Sequence, residues 1–90
     1  MRVRRDVTIV NRLGLHARAA TRLVKCAAGF GAEIWLHHGD RRVNGKSIMG
    51  VLTLAAAQGS TLGLEADGRD AEAAVEALAA LIADRFGEPD

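Results

Sequence analysis

An imidazole stands at the head of a helical pattern in the stretch Gly14-Leu15-His16-Ala17-Arg18. The first backbone N–H groups of a helix have no intrahelical partner, and the helix dipole adds partial positive charge. The backbone of Ala17 and Arg18 is therefore an anion site, worth about 0.3–1 kcal/mol when exposed and up to about 2 kcal/mol when partly buried. Two residues past the histidine, the Arg18 guanidinium can add a charge-assisted hydrogen bond of roughly 1.5–3 kcal/mol to the same anion. Gly14 keeps the approach open. That positive setting disfavours imidazolium, so a neutral, nucleophilic His16 is expected near neutral pH. Reversible phosphoryl capture needs such an arrangement: a ring nitrogen attacks, while the N–H groups and Arg18 meet the charge spread over the equatorial oxygens. Onward transfer limits how firmly the group is held, because about 1.4 kcal/mol of extra stabilisation makes release tenfold less favourable. The competing reading is that His16 only caps the helix or faces solvent.

A second constellation lies at Lys46-Ser47-Ile48-Met49-Gly50-Val51-Leu52. Ser47 is placed to cap a short helix, since its hydroxyl can accept an orphan backbone N–H. Ile48, Met49, Val51 and Leu52 cannot all point inward from so short an element. Ile48 and Met49, or a subset including Leu52, are expected to form an exposed apolar docking patch beside His16, against the alternative of ordinary core packing. Arg12, Arg18, Arg22, Lys25 and Lys46 would ring that patch and steer acidic partners; a solvated helix face would explain Arg22 and Lys25 equally well. Adjacent His37 and His38 point to opposite faces of a strand with no Cys or carboxylate cluster nearby, so no metal site is expected. The single Cys26 reads as a small, partly buried apolar residue.

These residues need elements to hold them. Val3, Val7 and Ile9 alternate as one face of a strand that Asn11-Arg12-Leu13-Gly14 breaks. Ala20, Leu23, Val24 and Ala27 recur at helical spacing from Ala17, with Gly29 just past the end. Glu33 to His37 reads as a strand, Gly39-Asp40 as a tight turn, and Arg41 to Val43 as the return strand of a hairpin. Leu62, Leu64 and Ala66 alternate in a fourth strand. Asp70 is placed to cap a final helix with a stripe of Val75, Leu78, Ile82 and Phe86, before Gly87 and Pro89 stop it. The order β-α-β-β-α-β-α predicts an α+β fold, an open-faced two-layer sandwich with helices on one face of a four-stranded antiparallel sheet.

At 90 residues, 49% of them hydrophobic, the chain is expected to be a single domain spanning residues 1–90, with a core too small for a large internal cavity. The net charge of +1 hides an asymmetry: through Ser47 there are ten Lys or Arg against three Asp or Glu, and two against eight thereafter. A nucleic-acid-binding sheet would need aromatics on its face, and the chain has no Tyr, one Trp and two Phe. A lone cysteine and the lack of a signal or membrane-spanning run point to a cytoplasmic protein with no membrane insertion.

The stretch Asn11-Arg12-Leu13-Gly14-Leu15-His16-Ala17-Arg18 resembles the active-site segment of the histidine-containing phosphocarrier (HPr) family of the bacterial phosphotransferase system, and Lys46 to Val51 resembles that family's second signature. The resemblance implies the sheet order 1-4-2-3. It further implies that His16 is phosphorylated on Nδ1 by phospho-Enzyme I, charged from phosphoenolpyruvate, and passes the group to an enzyme IIA domain. Arg18 matches the family's phosphate-binding arginine, Asn11 a polar residue near the loop whose role is open, and Ser47 the regulatory serine acted on by a kinase/phosphorylase. Such a protein carries a group and is not an enzyme; it needs no cofactor, and alternate docking suits a monomer. One departure stands out: Ala19 replaces the family's usual proline. Alanine is a better helix former than proline and retains its N–H, so the helix is expected to form. The alternative reading is a regulatory interaction module whose His16 or Ser47 phosphorylation state is read by kinases or regulators with little transport flux.

Overall fold

The computed structural model describes residues 1–90, and its elements follow the hydrophobic periods closely. Strand β1 spans Arg2–Thr8, helix α1 Ala17–Ala28, β2 Glu33–His38, β3 Arg41–Asn44, α2 Ile48–Thr53, β4 Thr61–Asp67 and α3 Ala71–Ala83. The four strands form one antiparallel sheet in the order β1-β4-β2-β3. β4 is central: Val3 and Val7 of β1 lie opposite its Ala66 and Leu62, and Ile34 and Leu36 of β2 lie opposite Ala66 and Leu64. These residues share one face of the sheet, and the helices cover it with Ala20, Leu23, Val51, Val75, Leu78 and Ile82, all fully or almost fully buried. Alanine at Ala19, Ala27, Ala71 and Ala74 lets helix backbones lie close to the sheet.

The other sheet face is open and polar. Glu65 is buried there all the same, because Arg2 Nε donates to its Oε2 at 2.6 Å and His37 Nε2 lies 2.7 Å from its Oε1. Those hydrogen bonds, the one from His37 first, hold the Glu65 carboxyl below its ordinary range despite burial, with the positive charge nearby adding to them. Trp35 lies on this face as well, half-buried beneath the Arg42 guanidinium, 3.9 Å from its ring centre.

Two expectations about α3 need correction. Asp70 occupies the N-cap position but makes no side-chain cap; its carboxylate accepts from Gly31 N–H at 2.8 Å and Ala32 N–H at 2.9 Å, tying down the loop between α1 and β2. Two loop N–H groups on the same carboxylate outcompete one helix N–H. Phe86 sits four residues after Ile82, at helical spacing, yet α3 ends at Ala83. Arg85, Phe86 and Gly87 all take positive φ, at 58°, 55° and 78°. This reversal buries the phenyl ring to 1% exposure and turns the last residues back across the molecule. Left-handed backbone costs a bulky residue of order 1–3 kcal/mol. Fully burying a Phe side chain returns about 1.5–3 kcal/mol.

Candidate functional site

The loop ahead of α1 is fixed mostly by backbone. Gly14 takes φ +66°, and a Cβ there would come within 2.5 Å of the Ala56 carbonyl oxygen. That oxygen accepts from Leu15 N–H at 2.9 Å, while Gly14 N–H donates to Asn11 O at 3.2 Å and His16 N–H to Gly14 O at 2.9 Å. Only a residue without a side chain lets the two loops approach so closely.

The chain enters α1 through His16, the N-cap residue, at φ −74° and ψ 177°. Its Nδ1 accepts from Arg18 N–H at 3.3 Å. Its side chain is 27% exposed, and Nε2 meets Glu88 Oε2. The imidazole thus lies at the opening of the helix, outside the core. Glu88 is held in turn by Asn11, a fully buried side chain whose Nδ2 donates to Glu88 Oε1 at 3.0 Å and to Gly14 O at 2.9 Å. Burial pushes the Glu88 carboxyl up, but hydrogen bonds from Asn11 and His16, with the charges of His16 and Arg18, outweigh it and hold the group below the usual carboxylate range.

A cleft of about 540 Å³ opens above this group, lined by Arg12, Leu13, His16, Ala17 and Arg18, with the tail residues Glu88, Pro89 and Asp90 completing its wall. The tail is pinned by Arg12 N–H, which donates to Asp90 O at 3.0 Å, and by Arg22 Nη1, which donates to Phe86 O. The sequence reading placed only positive groups around His16. The carboxylate was missed because Gly87 and Pro89, the residues flanking Glu88, read only as the end of a helix.

The other expected residues divide. Ser47 caps α2, its Oγ accepting from Gly50 N–H at 3.1 Å. Ile48 and Met49 are exposed, Met49 at 75%, whereas Leu52 is partly buried against the core. Leu13, 67% exposed in the cleft wall, joins the exposed apolar residues without having been foreseen. Arg12 and Arg18 are at the cleft. Lys25 is not: it lies in the last turn of α1, nine residues along at about 1.5 Å each. Lys46 is also engaged elsewhere, its Nζ donating to Phe30 O at 2.7 Å, and Arg22 ties the tail instead of facing solvent. His37 reaches Glu65 and His38 the Leu54 carbonyl, with no shared ligand between them. No group of three or more His, Cys, Asp or Glu is placed to hold a metal ion. No helix is long and apolar enough to cross a membrane.

Comparison with known proteins gives concordant results. Residues 3–84 match the family model described as PTS HPr component phosphorylation site. The chain is 52% identical over 86 residues to Phosphocarrier protein HPr of Cupriavidus necator, covering 96% of this chain and 97% of that protein. It is 44% identical over 87 residues to Phosphocarrier protein NPr of Shewanella violacea, covering 97% and 96%. Among solved structures, HPr-C-His from Thermoanaerobacter tengcongensis matches with a TM-score of 0.94 and 41% identity, over 98% of this chain and 99% of that one. Glu88 lies beyond the segment that the family model matches.

Proposed function

We propose, because this chain belongs to the HPr family of phosphotransferase-system phosphocarriers, that His16 is the residue on which it carries the phosphoryl group. The observation that carries the reading is the partly exposed imidazole at the N-cap of α1, in an open cleft beside Arg18. Phospho-Enzyme I, charged from phosphoenolpyruvate, is the donor. The Nδ1 lone pair of His16 forms the new N–P bond as the donor's bond to phosphorus breaks. Arg18 N–H, which meets Nδ1 at 3.3 Å in the unmodified chain, then turns to a phosphoryl oxygen together with Ala17 N–H and the Arg18 guanidinium. An enzyme IIA domain accepts the group, and the carrier is restored.

The chain works in this reading as a single domain over residues 1–90, a cytoplasmic monomer that needs no cofactor and is not an enzyme. Ala19 in place of proline is compatible with it, since α1 begins at Ala17 and runs unbroken to Ala28. Ser47 adds regulation by a kinase/phosphorylase. A phosphate there brings about −1.5 to −2 charge to the hydroxyl that caps α2, immediately before the exposed Ile48 and Met49. Incubated with Enzyme I and phosphoenolpyruvate, the protein is expected to gain one acid-labile, base-stable phosphoryl group, and His16→Ala to gain none. Labelling of the variant equal to that of the wild type would favour the regulatory interaction module instead.

A further inference from the structure

We propose that Glu88 is a positioning residue for phosphoryl transfer: it keeps the imidazole proton of His16 on Nε2 and so presents the Nδ1 lone pair to phosphorus. This rests on the reading of His16 as the acceptor. The two neighbours of the ring select one tautomer. A backbone N–H aimed at Nδ1 needs a lone pair there, and a carboxylate against Nε2 needs a proton there. The neutral ring with its hydrogen on Nε2 satisfies both; the opposite tautomer satisfies neither.

The carboxylate is itself held in place. Its side chain is 8% exposed, and Asn11 donates from one amide nitrogen to Glu88 Oε1 and to Gly14 O. Those two acceptors fix which way the buried amide faces. That orientation leaves Asn11 Oδ1 buried with no partner, a cost that the two hydrogen bonds from Nδ2 must outweigh. The open role of Asn11 is therefore to aim Glu88. The whole tail serves the same end: the left-handed run at Arg85, Phe86 and Gly87 reverses the chain, the buried Phe86 ring anchors it, and Arg12 N–H fixes Asp90.

The charge balance of the step explains why a carboxylate belongs there. When the Nδ1 pair forms the N–P bond, the donor keeps the electron pair of the bond that breaks. The ring keeps its Nε2 hydrogen and becomes cationic. Glu88 then faces a positive ring through a charge-assisted hydrogen bond. On onward transfer the N–P pair returns to Nδ1 and the ring is neutral again, with its proton never having left Nε2. The other charged groups lining the cleft, Arg12, Arg18 and Asp90, are left to the phosphoryl side and the tail.

Nitrogen-15 NMR of the wild type, at a pH where the ring is neutral, tests this directly. The expected spectrum has a pyrrole-like Nε2 and a pyridine-like Nδ1; a predominant Nδ1–H form would overturn the proposal without any variant. With Enzyme I and phosphoenolpyruvate, Glu88→Gln and Glu88→Ala are expected to slow phosphorylation about tenfold, with the Ala variant losing its single-tautomer spectrum. Rates and spectra equal to the wild type in both variants would sink the role of Glu88 while leaving His16 as acceptor. A wild type that takes no label on His16 defeats the underlying assignment instead.

Discussion

Arg18 pairs with no carboxylate, although a glutamate lies within reach of the same ring. A guanidinium left unpaired at a cleft is available to an incoming anion, and its fork geometry suits phosphoryl oxygens. Arg18→Ala is expected to lower kcat/KM for phosphorylation by about ten- to a hundredfold, the loss of a charge-assisted hydrogen bond of roughly 1.5–3 kcal/mol, with the unfolding midpoint unchanged. Unaltered kinetics would show that the side chain does not meet the transferring group. At this scale His16 and Arg18 were legible because they sit two residues apart on one helix end. Glu88 was not, since 72 residues separate it from the imidazole and only the folded chain joins them.

Local patterns located every helix and strand to within about one turn, because apolar period and capping residues act over short distances. They erred where a distant group competed. Asp70 looked like a cap until two N–H groups of the loop between α1 and β2 claimed its carboxylate. Phe86 looked helical by its spacing from Ile82, but the left-handed turn that buries it depends on the core beneath and on Arg22 above. Phe86→Ala leaves both the strain and a cavity. It is expected to cost about 3–5 kcal/mol in urea denaturation, the range for a buried Phe truncated to Ala. A loss below about 1 kcal/mol would mean that the tail is not anchored by this ring.

Across the whole molecule, the sheet order had no local signature: Val3 and Ala66 pair across most of the chain length, and only the family resemblance supplied it. The charge distribution is similarly a property of the fold. Glu65, Asp70 and Glu88 all have carboxyls held below their ordinary values. The unfolded chain therefore takes up protons first, near pH 4.3 for Glu and 3.9 for Asp. Their stabilisation is fully present above that range and is lost as pH falls through the lower folded values. Thermal melts should show an unfolding temperature that drops below about pH 4, and Glu65→Gln should make that acid limb shallower; an identical limb would rule out a contribution from Glu65. Met1 and Asp90 are held beyond opposite ends of β1. Met1 O accepts from Gly68 N–H, whereas Asp90 O is bound by Arg12 N–H in the cleft wall, and β1 alone spans about 23 Å at 3.3 Å per residue. An affinity handle or fluorophore fused ahead of Met1 would leave the imidazole's doorway clear, while the same fusion behind Asp90 would grow out of its threshold.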